Sequence, residues 1–229
     1  MTSEPTEDSV EAAGSSAATD PTADADSTGA VDPVEDPVAP RAATALRADP
    51  KLAPTVAAHG VQTLTPAEDP FRRLLVSVVR QQVSMDAAAA IRERLFEAVE
   101  VTPAGILAAD PQTLADAGLS AAKVEYVRNV ATAHRERGWN REFFADVPDD
   151  AVLEELTAIT GVGPWTAKMF LLFGLGRPDV FPVEDLGVRR GMETVCDREL
   201  TRAEMRERAA DWEPYRSYAA LYLWRAYEG

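Results

Sequence analysis

At 229 residues with 46% hydrophobic content, the chain is long enough for one or two small domains with a real core. Its longest apolar run, Met169–Leu175, falls far short of the roughly 18 residues of a membrane helix, and no basic-then-apolar leader opens the sequence, so a cytoplasmic protein is expected. A single cysteine, Cys196, excludes an internal disulfide framework and a four-cysteine iron–sulfur cluster, and two distant histidines, His59 and His134, argue against a histidine metal site.

The net charge of −15 argues at first against nucleic acid, whose partners carry a basic footprint. Its distribution changes that reading. Residues 1–40 hold ten Asp or Glu and no Lys or Arg, which leaves about −5 (−15 plus 10) for the rest. The basic residues are mostly Arg, with Lys51, Lys123 and Lys168 the only lysines. This acidic, lysine-poor composition resembles that of proteins from halophiles, where a Debye length of roughly 3 Å in molar salt weakens repulsion from DNA.

Residues 1–44 are rich in Ala, Ser, Thr, Pro and acids and nearly lack large apolar residues. They are expected to form a disordered tail, because they bury too little surface to offset ordering entropy. From Ala45 onward the chain reads as helix. Asp69 caps a helix that opens at Pro70 and carries Phe71, Leu74, Leu75, Val78 and Val79 at helical spacing. Ser84 caps the next, followed by short helices at 102–108 and 111–117. A long helix starts at Ser120 and ends near Gly138. Val152, Leu153, Leu156 and Ile159 line one further helix, and Met169, Leu172 and Phe173 another. Helices near 185–195, 202–211 and 214–227 complete an all-α chain with no alternating strand pattern.

Between the helices ending near Ile159 and opening at Pro164 stands Gly161-Val162-Gly163. Two glycines around a small apolar residue allow a tight turn and bring backbone N–H groups close to a ligand. At a helix N-terminus such amides favour an anion, for example a phosphate. About one loop later comes a lone carboxylate, Asp185. It either caps the following helix or stabilises positive charge on a reacting sugar; the spacing alone does not decide. Trp165 and Trp224 can each be read as a core aromatic or as a pocket wall.

The run LTAITGVGPWTAKMFLLFGLGRPDVFPVED, Leu156–Asp185, resembles the hairpin, Gly/Pro-rich loop and Asp of the helix-hairpin-helix DNA glycosylase superfamily. LLVSVVRQQVSMDA (Leu74–Ala87), Gly118-Leu119-Ser120 with Lys123, and WEPYRSYAALYLW (Trp212–Trp224) resemble segments of its alkylation-repair branch, 3-methyladenine DNA glycosylase II. The resemblance spans roughly residues 46–229. It implies a two-domain helix-hairpin-helix DNA glycosylase fold, with one domain at 66–175 and the other built from 45–65 and 176–229. It implies a catalytic Asp185, with Glu184 as the fallback acid, and a base pocket of Trp165, Met169 and Trp224, where Met169 stands in place of some relatives' aromatic. Contacts to DNA are expected from Gln81, Gln82, Ser84, Gly161, Val162, Gly163 and Lys168, with Gln82 filling the gap left by a flipped base.

Trp165 occupies the place where bifunctional members carry a nucleophilic lysine, so hydrolysis without strand cleavage is expected. No cofactor is implied beyond a monovalent cation, Na+ or K+, on the carbonyls of Thr157, Ile159 and Val162. Endonuclease III, a relative by motif, carries an iron–sulfur cluster that this chain cannot build. The expected partner is double-stranded DNA with damaged bases, bound by a monomer and away from membranes. Two alternatives remain at this point: a glycosylase for oxidised or mismatched bases, and a hairpin module that binds DNA without catalysis.

Overall fold

The computed structural model describes residues 36–229, and among them every regular element is helical. In chain order these are α1 (Ala39–Leu46), α2 (Ala53–His59), α3 (Pro70–Arg80), α4 (Met85–Ala98), α5 (Pro103–Ala108), α6 (Pro111–Asp116), α7 (Ala121–Arg137), α8 (Arg141–Ala145), α9 (Asp149–Thr157), α10 (Pro164–Met169), α11 (Leu186–Cys196), α12 (Arg202–Ala210) and α13 (Arg216–Glu228). A π-helical turn, Phe170–Gly174, continues α10. No described helix is long and apolar enough to cross a membrane.

Most of the helices begin where short polar side chains can accept their orphan N–H groups. Asp69 accepts from Arg72 N at 3.1 Å, Ser84 from Ala87 N at 3.3 Å and Ser120 from Lys123 N at 3.3 Å. Thr102, Asp110 and Asn140 do the same for α5, α6 and α8. Each such cap contributes about 1 kcal/mol, which matters for helices of five or six residues that cannot persist alone.

The expected tail ends earlier than its composition suggests. Residues 36–44 are folded: Ala39, Ala42, Ala43 and Leu46 lie on the buried face of α1. Asp36 is the node that fixes them. Its carboxylate accepts from Val38 N and Ala39 N at the head of α1, from Leu64 N at 2.8 Å, and from the Tyr218 hydroxyl at 2.9 Å. An alanine-rich stretch looks too poor in apolar surface to fold, but alanine lets a short helix approach α13 closely. The rest of the expected tail, residues 1–35, lies outside the described residues.

The helices pack as two groups on one continuous core. α3, α4, α5, α6, α7, α9 and α10 form one, with α3 and α7 at its centre; α1, α2, α11, α12 and α13 form the other around α13. The chain crosses between them at 60–69 and again at 175–185, and Ala67 N donates to Phe173 O (2.8 Å) where the two crossings meet.

α11 and α13 pack closely. A Cβ on Gly191 would lie 1.8 Å from the Leu223 carbonyl oxygen, and one on Gly187 would lie 2.7 Å from Trp224 Cδ1. The two glycines are four residues apart, hence on one face of α11, and their missing side chains bring α13 and Trp224 against the start of α11.

Candidate active site

Asp185 is the N-cap of α11, and Oδ1 accepts from Val188 N at 3.0 Å. Of the two roles left open by the sequence, the structure shows the cap, and the same carboxylate also faces two indoles. Trp165 Nε1, from α10, donates to Oδ2 at 2.8 Å, and Trp224 Nε1, from α13, donates to Oδ1 at 2.8 Å. The acid therefore sits where the two helical groups meet, gripped by one donor from each and by a backbone amide.

These donors are neutral. Among the described residues no Lys or Arg lies within ion-pair distance of Asp185. Hydrogen bonds to an ionised carboxylate are short and strong, so its orientation is fixed while its formal charge is not cancelled by a cation. The rings are held in turn: Phe173 lies 5.7 Å from Trp224 at 31° between planes, and the Arg73 guanidinium stands 4.7 Å from the Phe173 centroid.

Lys168, expected at a phosphate, is instead paired with Glu184. Its Nζ donates to both carboxylate oxygens, at 3.1 and 2.8 Å, and both side chains are mostly buried. This bond ties α10 to the loop before Asp185, alongside the bond from Trp165. Met169, expected in the base pocket, is 2% exposed and belongs to the core.

The hairpin turn is shaped from within. Gly161 has φ 99°, in the region that favours glycine, and a Cβ there would lie 2.2 Å from the Tyr126 ring. Asn129 Nδ2 donates to Thr160 O at 3.2 Å, so α7 grips the turn through two side chains. Gly163 is different: its φ of −93° suits any residue, and nothing lies within 4 Å of a Cβ built on it. No internal contact requires this glycine. Of the three carbonyls expected to hold a cation, that of Ile159 accepts from Val162 N at 3.0 Å; Thr157 closes α9, and Val162 is buried in the turn.

The second expected DNA element is the turn between α3 and α4. Gln82 sits at its tip, exposed, with φ 55°. A non-glycine residue held there costs roughly 1–2 kcal/mol, and such strain clusters at functional sites. Val83 beside it is 37% exposed, and Ser84 caps α4. Gln81 points inward, with Nε2 donating to Gly161 O at 2.9 Å and to Thr166 Oγ1 at 2.8 Å. Lys123 Nζ reaches the Val79 carbonyl at 2.6 Å, and burial holds this amine below its ordinary pKa.

Sequence reasoning missed Gly187 and Gly191, although their spacing in GVRRG is a close-packing signal. It also missed the Glu184–Lys168 pair, which sequence distance hides.

The Bacillus subtilis protein YfjP is 31% identical over 169 residues, and the chain spans 59% of its length. A DNA-3-methyladenine glycosylase of Saccharomyces cerevisiae is 32% identical, over 79% of this chain and 76% of that one. The structure of Schizosaccharomyces pombe 3-methyladenine DNA glycosylase in complex with abasic DNA superimposes with a TM-score of 0.75 at 28% identity, covering 81% of this chain and 95% of that one. With residues 75–214, hairpin and Asp185 included, matching the family's model, the chain belongs to the HhH-GPD superfamily of base excision DNA repair proteins.

Proposed function

We propose that the protein is a monofunctional DNA glycosylase that hydrolyses the N-glycosidic bond of alkylated purines, of the 3-methyladenine type, in double-stranded DNA. The observation that carries this reading is the Asp185 carboxylate, oriented by two indoles and an amide and left without a cation. As the base departs with the electron pair of the bond to the sugar carbon, positive charge develops on the sugar. At about 4 Å and an effective dielectric near 20 a carboxylate stabilises such a charge by roughly 4 kcal/mol. Water then adds to the sugar carbon, and its proton passes to Asp185 or to solvent.

An alkylated purine suits this site. Its own positive charge is attracted to ring faces and already weakens the bond to be broken. Trp165, half-buried beside the acid, supplies such a face, while Trp224, 4% exposed and packed on Phe173, orients the acid from within the core. A base with damaged pairing also leaves the stack at lower cost, a few kcal/mol at most. Gln82 fills the vacated gap, and the Gly161–Gly163 turn receives a backbone phosphate through its amides. Hydrolysis rather than strand cleavage follows from the amines available: Trp165 has none, and Lys168 is held by Glu184. The carbonyls of Thr157, Ile159 and Val162 would hold a monovalent cation, which would supply positive charge beside the turn.

The test is release of 3-methyladenine or 7-methylguanine from methylated duplex DNA in high potassium chloride, comparing wild type with Asp185→Asn. Release by wild type alone is expected. Release of oxidised bases only would move the protein to another lesion class, and binding without release would make it a hairpin module.

A further inference from the structure

Gln81 and Gln82 are neighbours in sequence but serve opposite directions. Gln82 points outward from a strained turn. Gln81 spends both hydrogens of its side-chain amide on the hairpin: one on the Gly161 carbonyl at the turn, one on Thr166, a 1%-exposed residue of α10. A glutamine amide has two donor hydrogens, so Nε2 has none left for DNA. The surroundings brace the same link. Lys123 holds the last turn of α3 through the Val79 carbonyl, and Tyr126 and Asn129, on the same helix as Lys123, hold the hairpin. Two turns that lie 80 residues apart in the chain are thus bonded directly to each other.

We propose that Gln81 is a positioning residue: a strut that fixes the Gln82 turn relative to the hairpin, so that insertion of Gln82 and capture of the phosphate occur as one event. This rests on the glycosylase reading above. Without the strut the αL conformation at Gln82 has little to oppose its relaxation, and the side chain loses its aim while the acid and its indoles stay in place.

Gln81→Glu keeps the size and removes both donors, setting a carboxylate against the Gly161 carbonyl. Thr166→Val removes one of the two acceptors and leaves Gln81 untouched. Affinity is measured by anisotropy for a duplex holding a tetrahydrofuran abasic analogue, with 2-aminopurine beside it to report unstacking. Gln81→Glu is expected to bind about tenfold more weakly, as for the loss of a hydrogen-bonded link, Thr166→Val a few-fold, and Gln82→Ala about tenfold. Each also loses 2-aminopurine signal. The double variants with Gln82→Ala are decisive: a strut acting through Gln82 makes them no weaker than Gln82→Ala alone. Multiplying losses, near a hundredfold, or full affinity in Gln81→Glu, would overturn the proposal. Should Gln81→Glu not fold, the cycle between Thr166→Val and Gln82→Ala distinguishes the same two outcomes. Base release by wild type from methylated duplex runs alongside. Its absence with coupling intact sinks the glycosylase reading alone; its presence with multiplying losses sinks the strut alone.

Discussion

Asp49 and Asp185 lie in different parts of the same helical assembly and are bonded almost alike. Each accepts an indole N–H and a backbone amide, from Trp212 and Lys51 in one case, from Trp224 and Val188 in the other. They differ in the remaining partner. Asp49 is also paired with Arg208, whose guanidinium stacks over Trp212; Asp185 has a second indole instead. Burial raises the Asp49 carboxyl, but Trp212, the Lys51 amide and Arg208 outweigh it and hold the group below its ordinary value. The charge of Asp49 is neutralised within the fold and fastens α12 and the α12–α13 turn to the loop after α1. The charge of Asp185 is fixed in direction and still available to something outside the chain. On the proposed reading, neutral donors leave an acid available for chemistry, whereas a cation retires it into structure.

The sharpest way to break this comparison is to remove both charges. Asp185→Asn should lower base release by about a thousandfold, the rate equivalent of roughly 4 kcal/mol. Its melting temperature should fall only modestly: Asn still caps α11, but its side-chain amide nitrogen cannot accept, so one of the two indole N–H groups loses its acceptor. Single-turnover release and calorimetry check both halves of this expectation. Next in size is the packing that delivers Trp224. Gly191→Ala drives a Cβ into the Leu223 carbonyl and should cost about 3 kcal/mol or more of stability. Gly187→Ala meets the edge of an indole, so it should cost less stability but about tenfold in release by turning Trp224 from Asp185. Urea melts and rates on the same samples separate the two glycines.

Asp49→Asn should leave release within twofold and remove about 2 kcal/mol of stability, as expected for an arginine left without its charge partner in a mostly buried site. A large loss of activity at a temperature where the variant is folded would end the distinction between the two acids. The smallest effect is one of pH. Burial pushes the His134 imidazole below its ordinary value of 6.5, against a pull from Asp69. The unfolded chain then binds the proton more readily than the folded one, so stability is complete above that value and declines as pH falls below it. The lowered Asp49 carboxyl works with the same sign further down: its contribution is complete above 3.8 and is lost as pH falls through the lower folded value. His134→Phe, which keeps an aromatic ring against Phe71, should flatten the first decline in urea melts at pH 7 and 5.5, and leave the second.

Much of this could be read along the chain. Asp69, Ser84 and Ser120 announce their helices by local chemistry, and they cap α3, α4 and α7 as expected. The hairpin, its loop and Asp185 are likewise contiguous signals. What escaped is long-range. Asp36 folds the end of an unpromising stretch by bonding Tyr218, 182 residues away. Lys168 finds Glu184 across a loop, and Gln81 turns from the expected DNA contact towards Gly161, because a side chain's direction depends on what the other elements present to it. The π-turn after Met169 also carried no signal. Gly174 lies inside it, where a Cβ would meet the Phe170 ring at 2.8 Å.

The left-handed backbone at Gln82 also restricts which sequences this position can explore. Asn, Asp and His enter that conformation several times more readily than other side chains, and β-branched residues hardly at all. Substitution there passes a conformational filter before any other. Short polar or ring-bearing probes can be tried in a single step, while Val, Ile or Thr would first require the turn itself to be rebuilt. The shape of the loop thereby sets a vocabulary for its own diversification.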